Sequence, residues 1–439
     1  MLELLNLALL MTAVGGVLWG ISKGPLRFYQ LPVLSSALVL VFIVPSFNGD
    51  IMTGLPEDAI AKTILMTLLC LVALWKGYGL GLTTRVSIGR PGHTDRILIV
   101  GVALSLLSAA SYAKLGQLTA GSAVGFFTAE GAYAQLMEGP LVLYKALASF
   151  GQVGLMLCLI GLLRRPSATA ALAVVGALVI PIAVAVFLGR RSETISLLLT
   201  IALVLFFERR MIVPRLALIL AIPMVMVLVL VAPEYRKHSQ IGGDLSKAID
   251  VDVAEQFSQF VSEGATEVRN GVYIIGATDR EMALQWGANY YNGVVRNFVP
   301  RFIVGADLKQ SLMFQVGLRD AITEQVYGWN RAFYSFPYGP AVAFEQFWYF
   351  GFFVFGAIGY LMAMVWKKAV AGDLWSQVLY AATVVPALYS FLTDQSGLIV
   401  RFLYMLVLVG PLILWVNAGG KAPGAPHLMV SRGRRASSR

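Results

Sequence analysis

The chain has 439 residues, of which 58% are hydrophobic and only 13% charged, and its mean hydropathy is +0.74. Soluble domains carry roughly 25% charged residues, so this composition excludes an ordinary soluble protein. The net charge of +10 does not point to nucleic acid, because the basic residues sit in short loops and in the C-terminal tail.

A bilayer core about 30 Å thick takes roughly 20 apolar residues per helix. Backbone groups in lipid must be satisfied internally, which leaves helices or closed barrels. The apolar runs here are continuous rather than alternating, and they predict an all-α polytopic membrane protein. Eleven spans are expected near 2–22, 31–47, 59–75, 97–113, 141–163, 169–188, 194–207, 212–231, 341–365, 375–392 and 398–416. The opening "MLELLNLALLMTAVGGVLWG" has no basic segment ahead of its apolar run, so it reads as a first span rather than a cleaved signal. Cys70 and Cys158 both fall inside apolar runs, which argues against a disulfide framework or a structural zinc site. The expected organisation is spans one to eight in 1–231, an extracytoplasmic loop with interfacial helices in 232–340, spans nine to eleven in 341–416, and a basic cytoplasmic tail in 417–439.

Short loops rich in Lys and Arg face the cytoplasm. With the tail inside, alternate loops should be basic. They are: Lys23 and Arg27; Lys76, Arg85, Arg90 and Arg96; Arg164 and Arg165; Arg209, Arg210 and Arg215; Lys367 and Lys368. The N-terminus and the 232–340 stretch then lie outside.

Three places on the outer side break this pattern: Arg190 and Arg191 in "FLGRRSETISLLL", Lys114, and Arg401 in "TDQSGLIVRFLYML". Charges at the border of a membrane are costly and often functional. Two accounts stand: snorkelling to lipid phosphates or pairing with Glu193, or an anion site built by the arginine pair with Arg401.

The outer stretch adds "GANYYNGVVRNFVPRFIVGADLKQ", with Tyr290, Tyr291, Arg296, Arg301 and Lys309. Aromatic faces suit sugar rings, and Arg and Lys suit phosphate oxygens. The other account packs the aromatics on the outer ends of the bundle. Glu345 enters the ninth span, either as a general base whose pKa desolvation raises or as the partner of an outer arginine. His238 is the substitute acid or base. Asp250 and Asp252 form a D-x-D, but the pattern around them is helical, and a solvated helix face accounts for it. No P-loop, H-E-x-x-H or G-x-S-x-G is present.

On these residues the chain resembles the bacterial oligosaccharide repeat-unit polymerases of O-antigen and exopolysaccharide synthesis. "LGRRSETISLLL" resembles the family's Gly-x-Arg ahead of a leucine-rich span, with Arg191 at the motif arginine. "NFVPRFIVGADLKQ" resembles the outer-loop aromatic–Pro–Arg segment, without the family's usual Trp-Pro and Lys-Pro. "FEQFWYFG" maps Glu345, Phe350 and Gly351, and "SGLIVRFL" maps Gly397 and Arg401. The resemblance implies a GT-C-like architecture and location in the bacterial inner membrane. It implies an undecaprenyl-diphosphate-linked glycan as donor, a repeat unit on the same carrier as acceptor, and a chain-length regulator as a partner. With this chemistry Arg191, Arg301 and Arg401 are expected on the diphosphate with Arg190 in support, Tyr290, Tyr291, Arg296 and Lys309 on the substrate, and Glu345 or His238 as the base. No metal or other cofactor is expected. Three competing readings remain at this level, one of them a non-catalytic membrane subunit of an export complex. A ligase-like transferase would use the same donor with another acceptor, and a transporter of lipid-linked sugars would show inverted repeats and polar mid-membrane helices.

Overall fold

The computed structural model describes residues 1–47, 52–86, 92–122, 141–187, 191–211, 265–315, 319–331 and 335–418. Among them every regular element is a helix, and there is no strand. The first group comprises α1 (Leu2–Ser22), α2 (Leu31–Ser46), α3 (Glu57–Thr83), α4 (Thr94–Ala120), α5 (Leu141–Arg164), α6 (Ala168–Phe187) and α7 (Arg191–Arg209). Then come α8 (Thr266–Glu281), α9 (Ala288–Phe298), α10 (Arg301–Val304), α11 (Ala306–Ser311) and α12 (Arg319–Tyr327). The last three are α13 (Gly339–Val370), α14 (Leu374–Tyr389) and α15 (Ser396–Asn417). Seven of these, α1, α3, α4, α5, α6, α13 and α15, are long and apolar enough to cross a membrane, and α2 and α14 are shorter apolar helices. The expected spans fall on α1–α7 and α13–α15, except for 212–231, which lies outside the described residues.

Burial sorts these helices. The apolar windows of α1 and α6 are each 22% buried, whereas that of α5 is 67% buried. Thus α1 and α6 present apolar side chains outward and α5 is interior. Lipid gives no hydrophobic drive for helix pairing, so close backbone approach through small residues does that work. The packing of α3 on α13 shows this. A Cβ at Gly77 would lie 2.0 Å from the Gly356 carbonyl oxygen, and one at Gly359 would lie 2.2 Å from that of Leu74.

Contacts gather the helix ends into two sets. At one end the His93 N–H donates to the Val416 carbonyl (3.3 Å). Arg96 donates to the Trp415 carbonyl (2.9 Å), Arg210 to the Val370 carbonyl (2.5 Å), and Lys367 to those of Leu82 and Thr84 (2.9 Å each). Arg164 pairs with Glu208 (2.6 Å). The loops expected to be basic therefore share one end. At the other end the Ala265 N–H donates to Ser46 (2.8 Å), Lys62 pairs with Asp279 (2.6 Å), and Tyr290 donates to Gln395 (2.8 Å).

The described part of 232–340 belongs to this second end. The interfacial helix expected in 241–264 lies outside the described residues; α8, which follows it, does not lie on a surface. It packs against α3 and α13 and buries Val268, Val272 and Ile275. Asn270, Gly271, Gly276 and Thr278 are buried beside them, so the helix mixes apolar with small and polar residues, which a search for long apolar runs passes over. By contrast α10 and α11 bury no residue and leave Phe302, Ile303 and Leu308 exposed.

Candidate functional site

The second end holds a cavity of about 430 Å³ walled by α4, α5, α6, α7, α14 and α15, with Asn297 of α9 at its edge. Its charged lining residues are Lys145, Glu193, Asp394 and Arg401. Arg401 sits in the second turn of α15, half-buried. Its two terminal nitrogens donate to the Ser149 carbonyl (3.2 Å each), and one also reaches the Ser149 hydroxyl (2.6 Å). Ser149 stands where α5 is interrupted between Ala148 and Gly151. A helix break leaves carbonyls without their intrahelical partner, and here one serves the guanidinium. A cation among apolar helices requires such compensation, and the Glu193 carboxylate adds to it electrostatically.

Glu193 and Ser192, both in the cavity wall, belong to the first turn of α7. The sequence suggested a short span beginning near 194, but the helix opens at Arg191 and runs 19 residues. The cavity therefore meets the N-terminal turn of a helix, where the positive end of the helix dipole lies. Gln152 ties α5 to α7, donating to the Ser196 carbonyl (3.0 Å) and to Thr200 (2.6 Å). Arg190 and His238 lie outside the described residues, as do Asp250 and Asp252.

Glu345 stands elsewhere. It is 2% exposed in α13 and does not line the cavity. The Nε of Arg319 in α12 donates to both of its oxygens (2.9 Å each), the Arg319 Nη2 donates to Oε2, and Gln285 donates to Oε1 (2.8 Å). Burial opposes the Arg319 charge, but the carboxylates of Glu345, Asp394 and Asp320 outweigh it and hold the guanidinium above its usual range. Of the two accounts of Glu345, this geometry matches the pairing one. The arginine is Arg319, which no feature of its sequence surroundings set apart from other loop cations.

The motif glycine after Glu345 has a structural cause. Between Trp348 and Gly351 the helix α13 is interrupted by a tight turn, with Trp348 at φ 52°. A Cβ at Gly351 would lie 2.1 Å from the Ala343 carbonyl oxygen, so no side chain fits. The turn lets Gln285 and Trp286 donate backbone hydrogen bonds to the Glu345 and Gln346 carbonyls (3.0 and 2.9 Å).

Arg301 does not reach the cavity wall. It is exposed in α10 and joins Arg296 and Lys309 in a basic surface cluster. Lys309 donates to the Arg296 carbonyl (2.8 Å), and burial together with Arg296 and Arg301 pushes its ammonium below the usual range. The cluster connects to the cavity through α9, since Tyr404 of the wall donates to the Asn297 carbonyl (3.2 Å). Tyr290 is occupied within the protein: its hydroxyl donates to Gln395 (2.8 Å) and its ring lies 6.2 Å from that of Phe347. Tyr291 is exposed and tilted against Phe314 at 5.1 Å.

The sequence reading missed Lys145, Gln152 and Asp394. All three carried a signal. Lys145 and Gln152 are polar residues inside an apolar run, and Asp394 lies in the stretch that singled out Arg401. Among the described residues no group of three or more His, Cys, Asp or Glu is placed to hold a metal ion.

No family model matches this chain, and no curated protein and no solved structure matches it. The functional reading therefore rests on the site.

Proposed function

We propose that the protein is a membrane glycosyltransferase that polymerises undecaprenyl-diphosphate-linked oligosaccharide repeat units at the outer face of a bacterial inner membrane. The observation that carries this reading is the cavity in which Arg401 meets the first turn of α7, at the end opposite the basic loops. A further span between Met211 and Ala265, as the eleven-span count expects, is supported by where these two residues lie. Arg210, just before Met211, bonds at the basic end and Ala265 bonds at the other, as one further crossing between them requires.

The chemistry follows from charge. An acceptor hydroxyl attacks the anomeric carbon of the donor glycan, the bond to the carrier diphosphate breaks, and its electron pair leaves with the diphosphate. Negative charge grows on that leaving group, and a preorganised cation with helix N–H donors is where such charge is best stabilised. Arg401 and the α7 N-terminus supply these, with Arg191 at its first position. Hydrogen bonds to charged groups are worth roughly 1.5–3 kcal/mol each, enough in combination to make the diphosphate leave without a metal. The basic cluster of Arg296, Arg301 and Lys309 lies one helix away from the wall and suits the second carrier's phosphates or the path by which a lipid-linked anion approaches.

The test is reconstitution of the purified protein in liposomes with the lipid-linked repeat unit. A ladder of glycan lengths is expected. In Arg401→Ala turnover should fall by about 10²–10³, the usual loss for one transition-state donor. Transfer of the glycan to an added lipid A core, with no ladder, would instead identify a ligase.

A further inference from the structure

Polymerisation releases a proton from the attacking hydroxyl, and Glu345 is badly placed to take it. Both its oxygens are occupied by Arg319 and Gln285, and it lies outside the cavity wall. Asp394 has the opposite character. It lines the same cavity as Arg401. Asn289 donates to its Oδ2 (2.9 Å) and the Ser396 N–H to its Oδ1 (2.8 Å). A carboxylate offers about four lone-pair sites, so each oxygen keeps one beyond these two bonds. The two donors fix the orientation of the carboxylate without filling it.

Asn289 is itself held. The Asn289 N–H donates to Gln346 (3.3 Å), Gln346 donates to Gln285 (2.9 Å), and Gln285 donates to Glu345 (2.8 Å). A run of hydrogen bonds, passing through the Asn289 backbone N–H, thus leads from the Arg319–Glu345 pair to the cavity wall. Lys145, Glu193 and Arg401 share that cavity, while Tyr290 and Arg319, which do not line it, also feel the Asp394 charge.

We infer that Asp394 is the general base of the polymerisation, resting on the function proposed above, and that Glu345 is a positioning residue acting through Gln285, Gln346 and Asn289. In the step, the acceptor O–H proton passes to an Asp394 oxygen as the acceptor oxygen bonds to the anomeric carbon. The bond from that carbon to the phosphate oxygen breaks, and the diphosphate departs with the electron pair beside Arg401. The proton is then lost from Asp394 to water.

The experiment uses the full-length protein in liposomes with the undecaprenyl-diphosphate-linked repeat unit, together with binding of undecaprenyl diphosphate alone. Removing a general base typically costs about 10²–10⁴ in rate. Asp394→Asn should therefore lower turnover at least about 100-fold with little change in undecaprenyl diphosphate affinity. Added formate should restore part of the turnover in Asp394→Ala, because a small carboxylate fits the space left by the side chain. A merely structural residue shows no such rescue. Turnover in Asp394→Asn close to wild type overturns the assignment. So does an equal loss of diphosphate affinity, or Asp394→Ala that binds the diphosphate but gains nothing from formate. Wild-type protein that binds the diphosphate yet forms no glycosidic bond overturns the assignment and the proposed function together.

Discussion

The Arg319–Glu345 pair gives the sharpest quantitative expectation. Its side chains are 15% and 3% exposed, so both charges are withdrawn from water. Removing one partner of a buried pair costs about 3–5 kcal/mol, because the other charge is left unpaired. Glu345→Ala should fall in that range, as it also strips the Gln285 amide of its acceptor, a loss of about 1–3 kcal/mol that is not fully additive. Arg319→Met should cost a similar amount. Arg319→Met combined with Glu345→Gln removes both charges and keeps an acceptor for Gln285. That double variant should lie near wild type, since replacing a buried pair outright is often close to neutral. The assay is equilibrium unfolding in mixed micelles, run as a double-mutant cycle, with glycan polymerisation measured on the same preparations. A cost below about 1 kcal/mol for Glu345→Ala would show that the pair is not desolvated as described. A double variant weaker than both single ones would contradict the pairing argument. A double variant that is folded but inactive, beside an active Arg319→Met, would return Glu345 to the chemistry.

Two further expectations concern the frame around the site. Gly77→Ala should destabilise the protein by about 1–3 kcal/mol, the usual range for overpacking, because its methyl would meet the Gly356 carbonyl at 2.0 Å. Gly397→Ala, with nothing within 4 Å, should be tolerated; comparing the two in the same unfolding assay checks both. The Asp279 carboxyl ties α8 to α3. Burial raises its pKa, but hydrogen bonds from Lys62 and Trp348 outweigh burial and hold it below the usual value of 3.8. A depressed carboxyl adds stability above its unfolded pKa and loses it as pH falls through its folded one. The stability gap between wild type and Asp279→Asn should therefore be constant above about pH 5 and shrink below about pH 4. A gap unchanged at pH 3 would refute the ion-pair account.

The membrane class and the helix positions were legible in the chain itself. Long apolar runs leave the backbone no other solution in lipid, and the alternation of basic loops matches the way His93, Arg96, Arg210 and Lys367 gather at one end. Arg401 was marked by its position because a cation at an apolar border stands out in one dimension. Partnerships were not legible. Arg319 and Glu345 are drawn together because α12 packs on α8 beside α13, and Asp394 is oriented jointly by Asn289 of α9 and the Ser396 N–H of α15. Nor did the sequence separate Arg301, which ends on an exposed surface, from Arg401, which ends inside a wall, for both read as outer arginines near aromatic residues. Composition and periodicity are local quantities, and they marked which segments are helices apolar enough to cross a membrane. Which charges meet, and which carboxylate keeps a free lone pair, depends on contacts between segments far apart in the chain, and the packing of the helices decided that.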